Sequence, residues 1–258
     1  MAEISFGTNS RHLSKRDAAR VSVSGTRLAP IITTSHSGLP LQWREGFPIL
    51  PSSTFVSLCY AVVKRTVDIW MAIAAVTALF PLLLLIALLV KVTSPGPVLF
   101  RQVRSGRAGT AFVLYKFRTM RRDACDHSGV AQTVVADERV TKLGHWLRRS
   151  SVDELPQLFN ILRGDMSFVG PRPHVAGQLA AGRPYRELVE YYDLRLSVRP
   201  GLTGWAQANG LRGPTGDATK ARERIEHDMA YIQNASPLLD LRIIFRTARD
   251  EFISGTGN

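Results

Sequence analysis

The chain has 258 residues, which is enough for one sizeable domain or two small ones and excludes a large multidomain assembly. Its 33 Lys and Arg against 21 Asp and Glu give a formal net charge of +12, so the surface favours anionic partners: nucleic acid, anionic lipid or phosphorylated small molecules. A hydrophobic content of 45% excludes a disordered chain, and two cysteines exclude a disulfide-rich scaffold.

The first fifty residues are rich in Ser and Thr, with Gly and Pro among them. They show neither the hydrophobic periodicity of a helix nor that of a strand. This composition predicts that residues 1–55 form a disordered N-terminal arm. The arm also lacks the short apolar core of a secretory signal.

A run from Ile69 to Val90 contains no charged side chain. At about 1.5 Å per residue it is long enough to cross a hydrocarbon core of about 30 Å, which favours a membrane segment over a buried core helix. Pro81 lies near its middle and predicts a bend, which divides the run into two arms of about one leaflet each. Lys and Arg flank both ends, so a re-entrant helix and a kinked spanning helix both remain open.

The remaining sequence predicts a mixed, helix-rich α/β domain over residues 93–258. AFVLYKF is typical of a strand, and helices are predicted at residues 140–149, within SSVDELPQLFNILRG, and at residues 184–196 and 218–233. The C-terminal stretch LLDLRIIFRTARDEF places apolar residues beside arginines. That pattern suits an interfacial helix on anionic lipid, and it equally suits a helix packed on the core.

Asp153 and Glu154 are adjacent carboxylates in a basic part of the chain. The segment Ser151–Glu154 fits a capping box, so a purely structural role at a helix start would explain them. Arg148 and Arg172 nevertheless offer guanidinium groups on either side. This mixture suits phosphate chemistry, because arginine binds phosphoryl oxygens, carboxylates bind Mg²⁺, and an ionised carboxylate can act as a nucleophile.

Weaker candidates lie on both sides of this pair. Lys116 interrupts an apolar strand and is either a residue at the sheet edge or a phosphate contact. The segment RPGLTGWAQANG, with Arg199, Gly201, Thr203 and Gly204, is a candidate substrate loop, although turn glycines alone would look the same. The histidines and cysteines show no zinc-ligand spacing, and the sequence contains neither GxGxxG nor a P-loop motif.

Several long motifs follow one another along the chain. They are KRTVDI, the apolar run with its central proline, SPGPVLFRQVRSGRAGTAFVLYKFRTM, DERVTKLGHWLRRSSVDELPQLFNILRGDMSFVGPRPH and RPGLTGWAQANG. In this order they resemble the bacterial sugar transferase family, the monotopic phosphoglycosyl transferases, over about residues 62–250. The short form with a single apolar segment is most similar to the undecaprenyl-phosphate galactose phosphotransferases that initiate exopolysaccharide synthesis.

The resemblance implies a monotopic protein of the bacterial inner membrane. Its apolar segment would be a re-entrant helix over residues 62–92 with a kink at Pro81, followed by amphipathic interfacial helices and a small catalytic domain that faces the cytoplasm. Phe80 stands where relatives often have serine, so the angle of the bend is open. Whether the chain forms oligomers is also open.

The resemblance also implies a reaction. A sugar 1-phosphate would pass from a UDP-sugar to undecaprenyl phosphate with release of UMP, and the sugar would be galactose, with glucose as the alternative. Asp153 would be the nucleophile that forms a phosphosugar-aspartyl intermediate, and Glu154 its partner. Both carboxylates would hold Mg²⁺, while Lys116, Arg148 and Arg172 would bind the substrate phosphates.

Two other classes of function compete with this one. A membrane-anchored protein could use its positive charge to bind nucleic acid, but the chain resembles no known nucleic-acid module, so we expect no such partner. A non-catalytic scaffold for polysaccharide assembly would keep the fold and would not depend on Asp153 or Glu154.

Overall fold

The computed structural model of the protein describes residues 31–34, 38–51, 55–121 and 137–254. Within these ranges the fold is mixed and helix-rich, which confirms the prediction. The helices are α1 (Phe55–Thr93), α2 (Lys142–Arg149), α3 (Gln157–Arg163), α4 (Tyr185–Leu188), α5 (Trp205–Ala208), α6 (Ala218–Asn234) and α7 (Pro237–Ser254). The strands are β1 (Ile31–Thr34), β2 (Pro40–Arg44), β3 (Phe47–Pro48), β4 (Leu99–Ser105), β5 (Ala111–Phe117), β6 (Ser167–Val169), β7 (Leu179–Ala180), β8 (Arg183–Pro184) and β9 (Gly201–Thr203).

The strands form small sheets that join distant parts of the chain. β1, β2 and β3 are antiparallel, β4 pairs with β5 in an antiparallel hairpin, and β7 pairs with β8. β6 and β9 are parallel, with Ser167 opposite Gly201 and Val169 opposite Thr203. This parallel pair sets the VGPRPH motif beside the GLTG motif.

α1 runs from Phe55 to Thr93 as one helical element that includes Pro81. Its 39 residues correspond to about 58 Å of helix. The part from Leu58 to Thr93 is long and apolar enough to cross a membrane, and most of its most apolar window is exposed. The kink at Pro81 and the re-entrant path stay predictions.

One face of α1 packs against the rest of the fold along most of the helix. Ala72 lies in a core cluster with residues of β5 and α3. Leu83, Ile86 and Val90 are buried in a second cluster with Phe117 of β5 and residues of α2. The other face of α1 is apolar and exposed, with Trp70, Phe80, Leu84, Leu85 and Leu88 on it.

The charged residues before the apolar run bind protein groups. Lys64 Nζ lies 2.7 Å from Asp240 Oδ2 of α7. Arg65 donates to two main-chain carbonyls at the C-terminal end of α3, and Asp68 Oδ1 accepts a hydrogen bond of 3.1 Å from the amide of Phe168. These contacts fix the first half of α1 to the domain.

The C-terminal end of α1 is held by Arg118, which follows β5. Its guanidinium donates to the carbonyl of Ser94 at 2.7 Å, to the Ser94 hydroxyl at 2.9 Å and to the carbonyl of Pro95 at 2.6 Å. Helix ends leave carbonyl groups without helical partners, and a buried arginine satisfies several of them at once. Both ends of α1 are therefore attached to the same domain.

The prediction of a disordered arm is wrong for residues 31–34 and 38–51, which contain β1, β2 and β3. Leu41 is fully buried in a cluster with residues of α5, α6 and α7. The side chain of Gln233 binds both the amide (2.7 Å) and the carbonyl (2.9 Å) of Gln42, so α6 supports β2. Packing on a distant helix overrides the polar composition of this segment. The other residues of the predicted arm, 1–30, 35–37 and 52–54, lie outside the described residues.

The helix predicted at residues 184–196 is also wrong in its extent. The chain instead makes the single turn α4 and then a 3-10 segment at Tyr192–Ser197, with Val189 extended between them. Tyr185, Leu188 and Tyr192 are buried against α6 in one cluster. The break lets all three side chains reach the same cluster.

The predicted C-terminal helix is confirmed as α7, and it carries apolar residues on two sides. Leu239 and Ile243 are buried in the core, whereas Leu238, Leu241 and Phe245 are exposed. α7 therefore packs on the core, as one of the two predicted arrangements requires. Its placement on a lipid surface stays a prediction.

Candidate active site

Asp153 and Glu154 lie in a short 3-10 turn, Val152–Glu154, between α2 and α3. Ser151 precedes it with φ of 52° and ψ of 14°, and its side chain makes no capping hydrogen bond to this turn. α3 begins only at Gln157. The capping-box interpretation is therefore wrong, because a residue in the left-handed region is not placed as an N-cap, which is typically extended. We call Ser151–Glu154 the dyad turn.

Glu154 is the centre of a three-residue ionic cluster. Its Oε1 atom lies 2.6 Å from Lys116 Nζ of β5 and 2.7 Å from Arg172 Nη2, and Arg172 Nη1 donates to Oε2 at 3.3 Å. The Glu154 side chain is only 15% exposed. The β4–β5 hairpin positions Lys116 beside Glu154, and the turn that follows β6 positions Arg172 there.

The charges around Glu154 shift the pKa values of the whole cluster. Burial by itself raises the pKa of Glu154, but Arg172 and Lys116 outweigh it and hold the pKa far below its usual range. Burial lowers the pKa of Lys116, and the charge of Glu154 partly offsets this effect. Glu154 also raises the pKa of Arg172. Glu154 is therefore a permanently ionised group.

Asp153 has a different environment from its neighbour. It is buried, with 7% of its surface exposed, and burial raises its pKa to about 6. Lys116, Arg148 and Arg172 oppose that rise, while the charge of Glu154 adds to it. Adjacent carboxylates whose pKa values are pushed apart are typical of sites in which the two groups have different chemical roles.

Arg148 joins this cluster from the last turn of α2. Its Nε atom donates to Thr119 Oγ1 at 2.8 Å, which orients the guanidinium, and its charge lowers the pKa of Asp153. The structure therefore brings together all five residues that the sequence indicates as carboxylates or as phosphate-binding cations. They are Lys116, Arg148, Asp153, Glu154 and Arg172.

Arg104 of β4 is a further cation that the sequence analysis did not assign to the site. Its side chain donates to Gln102 Oε1 and to the carbonyl of Pro173 at 3.2 Å. Burial and the nearby charge of Arg172 lower the pKa of Arg104 to about 10. Gln102 and Arg104 are two residues apart in β4 and therefore lie on the same face of the strand. Two polar residues at this spacing are the sequence signal that could have indicated them.

The residues of the candidate substrate loop contact other parts of the fold. A Cβ atom on Gly201 would lie 2.1 Å from the amide nitrogen of Gly170, and one on Gly204 would lie 2.3 Å from the Gly170 carbonyl oxygen. The two glycines thus permit close approach of β9 and β6. Arg199 Nε donates to the carbonyl of Gly164 at 3.0 Å.

Thr203, the fourth residue of this loop, hydrogen-bonds to Thr247 of α7, with 2.7 Å between the two hydroxyl oxygens. All four residues therefore have a role in the packing of the fold. A role in substrate binding stays a prediction for this loop.

Asp153 and Glu154 carry carboxylate oxygens, the ligand type that Mg²⁺ prefers, and both Glu154 oxygens also accept hydrogen bonds from Arg172. Mg²⁺ is usually held by one or two carboxylates together with phosphate oxygens and water. Within the described ranges, no cluster of three or more His, Cys, Asp or Glu offers a full protein cage for a metal. Two carboxylates alone would leave the other positions of the ion to water and substrate phosphates, and magnesium binding at this pair stays a prediction.

A family model described as bacterial sugar transferase matches residues 59–254, a range that includes most of α1, the dyad turn, and Lys116, Arg148 and Arg172. The chain belongs to the bacterial sugar transferase family. This result confirms the resemblance that the motif order indicates. It places all five residues of the cluster inside the family region.

Individual relatives differ in length from this bacterial sugar transferase. The chain is 54% identical over 196 residues to the exopolysaccharide production protein PSS of Rhizobium leguminosarum bv. phaseoli, an alignment that covers 76% of this chain and 98% of the relative. It is 44% identical over 215 residues to the UDP-glucose:undecaprenyl-phosphate glucose-1-phosphate transferase of Escherichia coli (strain K12), covering 83% of this chain and 46% of the relative.

A third relative carries a different sugar in its name. It is the UDP-N-acetylgalactosamine-undecaprenyl-phosphate N-acetylgalactosaminephosphotransferase of Aeromonas hydrophila, 43% identical over 197 residues, with 76% of this chain and 45% of the relative covered. The chain thus spans less than half the length of the E. coli and Aeromonas proteins, and nearly the full length of the Rhizobium protein.

Proposed function

We propose that the protein transfers a sugar 1-phosphate from a UDP-sugar to undecaprenyl phosphate and releases UMP, as the first membrane step of exopolysaccharide synthesis. One observation carries the proposal. A buried carboxylate, Asp153, stands beside a second carboxylate whose charge is neutralised by Lys116 and Arg172. Family membership and the names of the relatives support the same reaction.

The first half of the reaction forms a covalent intermediate. An Asp153 carboxylate oxygen attacks the phosphorus atom that carries the sugar, and the bond from that phosphorus to the bridging oxygen of the diphosphate breaks. UMP leaves with the bridging oxygen and its electron pair. The product is an acyl phosphate between Asp153 and the sugar phosphate.

The second half returns the carboxylate. A phosphate oxygen of undecaprenyl phosphate attacks the same phosphorus atom, and the bond to the Asp153 oxygen breaks. The new diphosphate joins the lipid to the sugar, and Asp153 is again an ionised carboxylate. Each half exchanges one P–O bond for another, so the cycle requires neither an oxidant nor a reductant.

The cations supply the electrostatic part of the mechanism. Lys116, Arg148 and Arg172 offer donors to phosphoryl oxygens, and their charges favour the ionised form of Asp153. Glu154 holds both cations in place, because its Oε1 atom accepts from Lys116 and Arg172 and its Oε2 atom accepts from Arg172. Asp153 and Glu154 would hold Mg²⁺, which would supply positive charge to offset the negative charge of the diphosphate.

The proposed topology is re-entrant, with both ends of α1 on the cytoplasmic side of the inner membrane. Two attachments support it. β2, which precedes α1, has Leu41 buried in the same cluster as residues of α6 and α7, and Arg118 binds the segment that follows α1. A spanning helix would separate these two attachments by the thickness of a bilayer. The exposed apolar face of α1 would then contact lipid.

Cysteine labelling tests this topology. In a chain with Cys59 and Cys125 replaced by serine, single cysteines at the exposed positions Leu50 and Val92 should both be protected in intact cells from a membrane-impermeant maleimide. Both should react after permeabilisation. Labelling of the Leu50→Cys variant alone in intact cells would show that α1 spans the membrane.

The pKa of Asp153 predicts a pH profile. A nucleophilic carboxylate must be ionised, and burial raises the pKa of this one to about 6. Below about pH 6, kcat/KM for the UDP-sugar should therefore fall about tenfold for each further pH unit. The measurement is initial UMP release, with circular dichroism confirming a folded protein at each pH. An acid limb near the ordinary pKa of 3.8 would contradict the assigned environment.

A panel of UDP-sugars tests the reaction and its substrate together. The resemblance of the short chain to galactose phosphotransferases favours galactose, whereas the names of several relatives favour glucose. Membranes that contain the protein, undecaprenyl phosphate and Mg²⁺ should release UMP from one of these donors and not in the absence of the protein. A non-catalytic scaffold would release no UMP from any donor, which would overturn the proposal.

A further inference from the structure

The dyad turn begins with a residue in an uncommon conformation. Ser151 has a positive φ of 52°, a region that residues other than glycine rarely adopt. Its amide donates to the carbonyl of Arg148 at 3.1 Å, and its own carbonyl accepts from the amide of Glu154 at 3.2 Å. The conformation of Ser151 therefore sets the direction in which the chain leaves α2 and enters the two carboxylates.

A single carboxylate from the far end of the chain contacts this residue. Glu251 Oε1, near the end of α7, accepts a hydrogen bond of 3.0 Å from the Ser151 hydroxyl. The same oxygen forms an ion pair with Arg212, which lies in the segment after α5. The side chains of Arg212 and Glu251 are 18% and 23% exposed, so the pair is largely screened from solvent.

The position of Glu251 follows from the face that α7 turns to the domain. Ile243, Thr247 and Glu251 are spaced by four residues and lie on one side of the helix. Ile243 is fully buried, Thr247 binds Thr203 of β9, and Glu251 binds Ser151. The packing of α7 on the core thus fixes where the Glu251 carboxylate lies and in which direction it points.

We propose that Glu251 is a positioning residue for Asp153. By binding Ser151 and Arg212 through one oxygen, it holds the left-handed start of the dyad turn and joins that turn to the segment after α5. Asp153 then stays within reach of the charges of Lys116, Arg148 and Arg172. The inference rests on the proposed function, because it takes Asp153 as the group that attacks phosphorus.

A positioning role affects a different kinetic step from substrate binding. If Glu251 only aims the nucleophile, its loss slows the formation of the phosphosugar-aspartyl adduct. The KM for adduct formation, which is the UDP-sugar concentration that gives half the maximal single-turnover rate, then stays nearly constant. If Arg212 and Glu251 bound the donor directly, KM would rise instead. The two roles are therefore separable with one donor.

The experiment uses the full chain in membranes and the UDP-sugar that gives the highest wild-type activity in the panel. Glu251→Met keeps a similar length and removes both accepted hydrogen bonds, and we expect the single-turnover rate of adduct formation to fall about 10- to 100-fold. KM should change by less than about twofold. Glu251→Gln keeps an acceptor oxygen and should recover the rate to within about threefold of wild type.

Asp250→Met is the matched control, because Asp250 is the adjacent acid on α7 and binds the exposed Arg249. It should form adduct at the wild-type rate. Ser151→Gly is the second test variant, since glycine adopts a positive φ without strain and lacks the hydroxyl. It should slow adduct formation, and the double variant with Glu251→Met should be no slower than the slower single variant, because both remove the same contact.

The outcomes separate this inference from the proposed function. If Ser151→Gly or Glu251→Met forms adduct at the wild-type rate while Asp153→Asn forms none, the positioning role is wrong and the proposed function stands. A rise in KM with an unchanged adduct rate would also overturn it. If Asp153→Asn still forms the adduct, the proposed function itself is wrong. Should Glu251→Met fail to fold, Ser151→Gly decides the question.

Discussion

The Asp153→Asn variant should form no phosphosugar adduct and should release UMP at a rate at least about 10⁴-fold below that of wild type. Asparagine has the shape of aspartate and can still accept hydrogen bonds, but its amide does not attack phosphorus to give an acyl phosphate. Mass spectrometry of protein quenched after mixing with the UDP-sugar should place the added mass on the peptide that contains Asp153. The variant should show no such mass.

The thermal stability of the Asp153→Asn variant shows whether its loss of activity comes from the missing nucleophile or from a failure to fold. Burial raises the pKa of Asp153 from 3.8 to about 6, so ionisation of this group makes the folded state less stable as the pH rises through that range. Asparagine does not ionise. At about pH 7.5 the variant should therefore unfold at a temperature no lower than that of wild type.

A matched substitution elsewhere completes this test. Asp193→Asn changes an exposed carboxylate that binds Arg186, and it should keep wild-type turnover. An adduct on a side chain other than Asp153 would show that the nucleophile is misassigned. Exopolysaccharide production that persists in cells carrying Asp153→Asn would favour the scaffold interpretation.

Long elements with a strong hydrophobic pattern could be predicted from the sequence. The apolar run indicates α1, and the amphipathic stretches indicate α2, α6 and α7, because burial on one face or lipid contact leaves a period in the sequence. β2 carries no such signal. Leu41 is buried because α6 supplies Gln233 and an apolar surface, and neither is visible in residues 1–50 alone.

Part of the candidate site could also be predicted, because residue types that suit one kind of chemistry are visible in the sequence. Residue types that suit phosphate chemistry indicated Asp153, Glu154 and three cations, and the structure brings these together although up to 56 residues separate Lys116 from Arg172. Glu251 carried no such signal. It reaches Ser151 across 100 residues of sequence, and only the fold of α7 makes them neighbours.

Local rules failed where the backbone departs from regular geometry. Ser151 and Glu154 have the spacing of a capping box, yet Ser151 adopts a left-handed conformation and its side chain binds Glu251 of α7 instead of capping the turn that follows. Gly201 and Gly204 are candidates for a substrate loop, and in the structure they allow two strands to approach each other. In both segments a tertiary contact sets the backbone geometry, which the local sequence alone does not show.

The Glu154→Gln variant should lose both activity and stability. Glutamine removes the carboxylate that pairs directly with Lys116 and Arg172, two largely buried cations, and breaking such a cluster by removing one partner costs about 3 kcal/mol. Capping alone would cost about 1 kcal/mol. Equilibrium denaturation at neutral pH measures the difference.

The pH dependence of this stability loss has a definite sign. Arg172 and Lys116 hold the pKa of Glu154 far below its ordinary value of 4.5, so the ionised group stabilises the folded state above that value and loses this effect as the pH falls below it. The difference in unfolding free energy between wild type and Glu154→Gln should therefore be full at neutral pH and should shrink below about pH 4.5. A difference that does not depend on pH would contradict the ionic role.

Two further variants separate stability from catalysis. Glu187→Gln breaks an exposed pair with Arg183 and should cost less than about 0.5 kcal/mol. Combining Glu154→Gln with Lys116→Met removes one of the two unbalanced cations and should restore part of the lost stability. It should not restore turnover, because Lys116 donates to the substrate phosphate in the proposed reaction. Recovery of turnover in this double variant would mean that the cluster supports the fold and takes no part in phosphoryl transfer.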